Sequence, residues 1–104
     1  MDIEKIRKAI KEGRINITEH ADEELENDEI LNQDLYVSVF NGKVIEDYPK
    51  DFPFPSCLIY GKNDEGKPVH SVWAYSEEDQ IAVLVTAYLP DPEKWIEFKI
   101  RRKK

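Results

Sequence analysis

Cysteine and histidine are nearly missing from this 104-residue chain, which has one Cys, Cys57, and two His, His20 and His70. A lone cysteine excludes an internal disulfide and any cysteine-based zinc site within one chain. Cys57, beside the apolar "LIY", is expected to be a buried, inert thiol, and a reducing, cytoplasmic setting follows as the default. Apolar runs are short; none approaches the roughly 18 residues of a membrane span. The opening "DIEKIRKAIKEG" is charged throughout, unlike a secretory leader. Repeats, low-complexity tracts and linkers are also lacking, so residues 1–104 are expected to form a single domain.

What is present is charge. The net formal charge is −7, spread unevenly. Residues 1–92 hold nine Lys/Arg against twenty Asp/Glu, whereas residues 93–104, "EKWIEFKIRRKK", hold six against two. An indiscriminate coat for nucleic acid is disfavoured by the acidic body, but a small basic groove fed by the C-terminal segment is compatible with it. Hydrophobic residues at 40% and aromatics at 11% support a folded core.

Apolar spacing predicts three N-terminal helices. Ile3, Ile6, Ala9 and Ile10 recur at helical period, and Gly13 follows as a stop. Thr18 is a good N-cap for a second helix whose Ala21 and Leu25 face inward. A third spans residues 32–40, "NQDLYVSVF", ended by Asn41-Gly42. Strands are expected at 43–49, 57–62, 68–75 and 80–89, with "FPFPS" as a stiff extended link and "NDEG" as a hairpin turn. The expected architecture is α+β: two to three helices within residues 1–41, packed on an antiparallel sheet of about four strands within residues 43–89. A basic tail, residues 90–104, follows, and Trp95 and Phe98 anchor it to the sheet.

If the "SEEDQ" loop leaves Glu77 to Asp79 free, Ser76 pairs with Gln80 and His70 falls opposite Thr86. Tyr88 then lies diagonally on the same face. A four-residue loop would set Val85 opposite His70 instead. Imidazole is the natural acid or base near neutral pH, and the Thr86 and Tyr88 hydroxyls can orient a phosphate. On spacing alone the structural reading, a half-buried His70 bonded to Thr86, is the stronger. His20 begins a helix inside "NITEHADEELENDE", among seven carboxylates. On composition it is a residue of a solvated acidic face. A metal site using both histidines has no HxxxH pair behind it, and the one HxxE, His20 to Glu23, is by itself a weak signal.

"GRINITEHADEEL", "PSCLIYGKNDEGKPVHSVWAYSEEDQIAVLVTAYLPDPEKW" and the closing "EFKIRR" together resemble a bacterial and archaeal family, domain of unknown function 4258. That family resembles the RelE-like and barnase-like small ribonucleases, many of them toxins of toxin–antitoxin pairs, which cleave RNA without metal. The resemblance implies a RelE/barnase-like fold, no cofactor, RNA as substrate and a small zinc-ribbon antitoxin-like partner. It makes His20 the leading candidate for acid/base work, with His70 and Thr86 as partner groups and Tyr88 lining the groove. Arg101 and Arg102 would hold the RNA backbone. Arg14, just upstream of the His20 helix, is placed to reach a phosphate at that helix's N-terminus. The expected function is therefore metal-independent RNA cleavage by histidine chemistry; the alternative is a non-catalytic protein-interaction module on the same scaffold.

Overall fold

The structure, a computed structural model, describes residues 1–103. Helix α1 (Ile3–Lys11) starts where the Asp2 carboxylate accepts the Glu4 amide at 2.9 Å, and it buries Ile6 and Ala9. Gly13, at φ +70°, turns the chain into a short strand, β1 (Ile15–Ile17). Thr18 then caps α2 (Glu19–Asn27), its Oγ1 accepting the Ala21 amide at 3.1 Å. Acidic Glu19 and Asp22 in the first turn suit the helix dipole. Helix α3 (Asn32–Phe40) ends at Asn41. The Asn41 side-chain amide donates to the Lys62 carbonyl (2.7 Å) and accepts the Lys62 amide (2.9 Å), as a strand neighbour would.

Strands β2 (Lys43–Tyr48), β3 (Ser56–Lys62), β4 (Pro68–Ser76) and β5 (Ile81–Tyr88) form an antiparallel meander. The segment between β2 and β3 bends back rather than running extended, as a hairpin connection requires. β1 joins the outer side of β5 in parallel, Ile15 opposite Ala82 and Ile17 opposite Leu84. The sheet is thus five-stranded and mixed, in the order β1-β5-β4-β3-β2, rather than four-stranded and antiparallel. "INI" was too short to stand out as a strand by pattern; its partner decides it. The C-terminal segment is no loose tail either. It folds as a second sheet, β6 (Trp95–Ile96) against β7 (Ile100–Arg101). Among the described residues no helix is long and apolar enough to cross a membrane.

The helices cover one face of the large sheet. Cys57, Ile59, Val69, Trp73, Tyr75, Ala82, Leu84 and Ala87 pack there against Ile6, Ala21, Leu25, Leu35 and Val39. Polar groups within this core are paired: Trp73 Nε1–H donates to Ser71 Oγ (3.0 Å), and Ser38 Oγ–H to the Leu35 carbonyl (2.6 Å). Helix α3 presses so closely on β3 that a Cβ on Gly61 would sit 1.7 Å from the Ser38 carbonyl oxygen. Only glycine fits there.

A bulge decides what the other face of the sheet presents. Val72 pairs with Thr86 but Trp73 pairs with Leu84, leaving Val85 unpaired and partly exposed. That one extra residue resets the alternation along β5. Ala82 and Leu84 point to the helices, and so does Ala87, while Thr86 and Tyr88 turn to the opposite face. Without the bulge Thr86 and Tyr88 would follow Leu84 into the helical core. The loop also differs from expectation: Ser76 pairs with Ile81, and Gln80 takes a left-handed φ of 54°. Loop and bulge together move the register, so His70 lies opposite Tyr88, not Thr86 or Val85, and Thr86 faces Val72.

Candidate functional site

On the face away from the helices, three strands align an aromatic row. Tyr60 of β3 pairs with His70 of β4, which pairs with Tyr88 of β5. The β6–β7 hairpin closes over this row. The Trp95 indole meets the His70 ring edge-on at 4.5 Å between centroids, and Phe98 packs beside Tyr60. His70 is left with 0% exposure.

Its two ring nitrogens are both engaged, and the partners fix the tautomer. A carbonyl oxygen can only accept, so Nε2–H donates to the Phe98 carbonyl at 2.6 Å. Nδ1 is then the acceptor, taking the Tyr88 hydroxyl proton at 3.2 Å. Burial pushes the His70 pKa below the ordinary histidine value; the Phe98 carbonyl and the Glu46 charge pull the other way without cancelling it. His70 is therefore a neutral imidazole at pH 7, held inside the protein behind Tyr88. The Tyr88 phenol is itself pushed up by burial and stays protonated.

A charged unit stands beside this pair. Glu46 of β2 receives Arg101 of β7 in a fork, Nε to Oε2 at 2.9 Å and Nη2 to Oε1 at 3.1 Å, and also accepts the Tyr48 hydroxyl. Burial alone would raise the Glu46 carboxyl, but the Arg101 and Tyr48 hydrogen bonds outweigh it and hold its pKa below the usual range. The Arg101 guanidinium also lies 4.7 Å over the Trp95 ring, a cation–π contact that fixes it across the hairpin. Tyr48 is raised, chiefly by burial and then by its bond to Glu46.

Tyr88 opens into a groove of about 690 Å³ whose walls include Trp95, Arg101, Arg102, Lys94 and Lys103. Asp91 and Glu93 line it as well, so four cations face two carboxylates. Arg102 spends Nε on the Pro92 carbonyl (3.0 Å), which orients its remaining N–H groups. A different depression, about 610 Å³, lies along α3 between Tyr36, Val37 and Phe40. It is almost wholly apolar, with Tyr36 its one ionisable group.

The structure thus gathers His70, Tyr88, Arg101 and Arg102, and leaves the other candidates elsewhere. His20 is exposed in the first turn of α2, a helix packed on the opposite face of the sheet through Ala21 and Leu25. It makes no contact with His70, whose nitrogens are already taken. Thr86 shares the face of Tyr88 but bonds neither histidine. Arg14 sits by the start of β5, pairing with Glu12 (2.9 Å) and the Gln80 carbonyl, roughly 20 Å along the strand from Tyr88. Among the described residues no three His, Cys, Asp or Glu converge as a metal site. Glu46, Tyr48, Tyr60 and Lys94 are not among the residues that the sequence singles out. Glu46 and Tyr48 lie two apart on a strand, and that period-2 spacing was the available sign that they share a face.

Residues 17–89 match the family described as Domain of unknown function (DUF4258), most of the chain, and the protein belongs to that family. Neither a curated protein nor a solved structure matches it significantly.

Proposed function

We propose that this protein is a metal-independent endoribonuclease acting in the groove at Tyr88. The observation that carries the reading is a tyrosine bonded through its hydroxyl to a buried neutral imidazole and lining a groove with four cations and two carboxylates. Tyr88 Oη takes the proton of a ribose 2′-hydroxyl while its own proton passes to His70 Nδ1. The 2′-oxygen then attacks the adjacent phosphorus, the bond to the 5′-oxygen breaks, and the Lys94 ammonium protonates that leaving oxygen. The products are a 2′,3′-cyclic phosphate and a 5′-hydroxyl. Arg102 holds the non-bridging oxygens, and Arg101, fixed by Glu46, stabilises the charge that develops on them. A lowered His70 pKa weakens the base, at about 1.4 kcal/mol per pKa unit. The Phe98 carbonyl and Glu46 offset part of that cost by favouring the imidazolium.

In this reading His70 acts through Tyr88, and His20 lies outside the chemistry. The test is cleavage of end-labelled RNA in EDTA by the wild type, Tyr88→Phe and His20→Ala. Loss of about 10²-fold or more in Tyr88→Phe alone supports the groove, in line with the usual contribution of general acid–base catalysis. Loss in His20→Ala with full activity in Tyr88→Phe returns the role to the α2 histidine. No cleavage by any folded sample removes the enzyme reading. The apolar depression on α3 favours a second reading, a non-catalytic interaction module. The family resemblance extends the first reading to a toxin with a zinc-ribbon partner; co-purification on co-expression tests that pairing.

A further inference from the structure

The groove at Tyr88 is one of two clefts that flank the C-terminal hairpin. The other, about 650 Å³, is lined by Tyr60, Lys43, Lys62 and Lys99 together with Asn41 and one carboxylate, Asp64. Seven of the chain's fifteen Lys/Arg line the two clefts, although the molecule as a whole carries a net −7. Tyr60 and Tyr88 sit on either side of His70 in one row of paired residues, two strand spacings or roughly 10 Å apart. Tyr60 is partly exposed, its ring held by the His70 edge at 5.9 Å and by Phe98 at 6.5 Å. A fixed, partly exposed aromatic ring among lysines is what a sequence-tolerant stacking site for a base requires. The long acidic run of α2 lies on the other side of the sheet and would repel a nucleic acid there.

We infer that the Tyr60 cleft is a second nucleotide subsite, stacking a base on Tyr60 and pairing the adjoining phosphates with Lys43, Lys62 and Lys99. This rests on the RNA reading of the Tyr88 groove and deepens it: the substrate is an extended single strand crossing the face of the sheet past the hairpin. A duplex, whose bases are already stacked on one another, cannot use Tyr60.

The test is binding without cleavage. Fluorescein-labelled 2′-O-methyl RNA lacks the nucleophile and is titrated by anisotropy as a dinucleotide, a single-stranded octamer and an octamer duplex. The octamer is expected to bind wild type at least about tenfold more tightly than the dinucleotide. Replacing the three cleft lysines by glutamine should remove about tenfold of octamer affinity and flatten its salt dependence, while leaving the dinucleotide unchanged. Tyr60→Leu, checked for an unaltered melting transition, should lose roughly tenfold on the octamer. Equal affinity for dinucleotide and octamer, an unaffected lysine variant, or equal binding of duplex overturns the proposal. Octamer binding that depends on these lysines, in a protein that cleaves no RNA, sustains this subsite while the catalytic reading falls.

Discussion

Acidification should weaken the fold through His70 before any carboxylate is involved, and the slope can be worked out. In the folded protein burial keeps this imidazole neutral below its ordinary value, whereas in the unfolded chain it titrates near that value, about 6.5. The unfolded state therefore binds the extra proton first. The stabilisation is fully present above about pH 6.5 and is lost as pH falls from there through the lower folded-state pKa. One proton sets the limit, about 1.4 kcal/mol per pH unit. Glu46, whose carboxyl is also held low, acts with the same sign, but its loss begins only below the ordinary carboxylate value of about 4.3, well under the pH at which the histidine loss sets in. Urea unfolding at pH 7.5, 6.5, 6.0 and 5.5 separates them (roughly a unit on either side of the histidine value). Wild type should lose up to about 1 kcal/mol across the lower part of that series. His70→Gln, which keeps hydrogen-bonding capacity but has no titrating group, should be weaker at neutral pH and flat across the series. A wild type that is equally stable at every pH, or a His70→Gln variant with the same slope, would refute the account of a buried neutral histidine.

Other perturbations test other parts of the structure. Cleavage, if it runs through Tyr88 and His70, should keep its rate on acidification to a pH below the ordinary histidine value, because the base stays neutral there; a pH–rate profile of kcat/KM reads this. Tyr88→Phe leaves a buried Nδ1 without its donor and should cost about 1–3 kcal/mol in urea unfolding. Thr18→Ala removes the α2 cap and should cost about 1 kcal/mol. Gly61→Ala places a methyl against the α3 backbone and should lower thermal stability by about 3 kcal/mol or fail to give folded protein.

The elements were largely legible because local patterns specify them. Helical spacing of Ile6 and Ala9, the Thr18 cap and the apolar strand runs place α1, α2 and β2 to β5 close to their observed bounds. What was hidden is set by partners distant in sequence. β1 is three residues long and becomes a strand because β5 offers it an open edge. The Val85 bulge has no marker of its own in "IAVLVTAYL", yet it decides whether Thr86 and Tyr88 face the helices or the hairpin. Counting back from the turn therefore paired His70 with the wrong residue while placing Tyr88 on its face. The site shows the same division. Arg101 and Arg102 are singled out by the family resemblance and Tyr88 by strand alternation, but Glu46 joins them only once β2 and β7 are brought together across the meander.

The parallel pairing of β1 with β5 also bears on how the chain reaches this state. β1 cannot find its partner until residues 82–84 are in place, so the first ladder to begin along the sequence is among the last that can close. Helices α1 and α2 wait on the same event, because their apolar faces pack against Ala82, Leu84 and Ala87. Meanwhile the β2–β3–β4–β5 meander can assemble from neighbouring segments, leaving the outer side of β5 unpaired. Such a pattern of late, long-range closure slows folding relative to a helical protein of this length. It makes the docking of β1 the step that covers the open edge of β5, otherwise prone to self-association, and completes the domain.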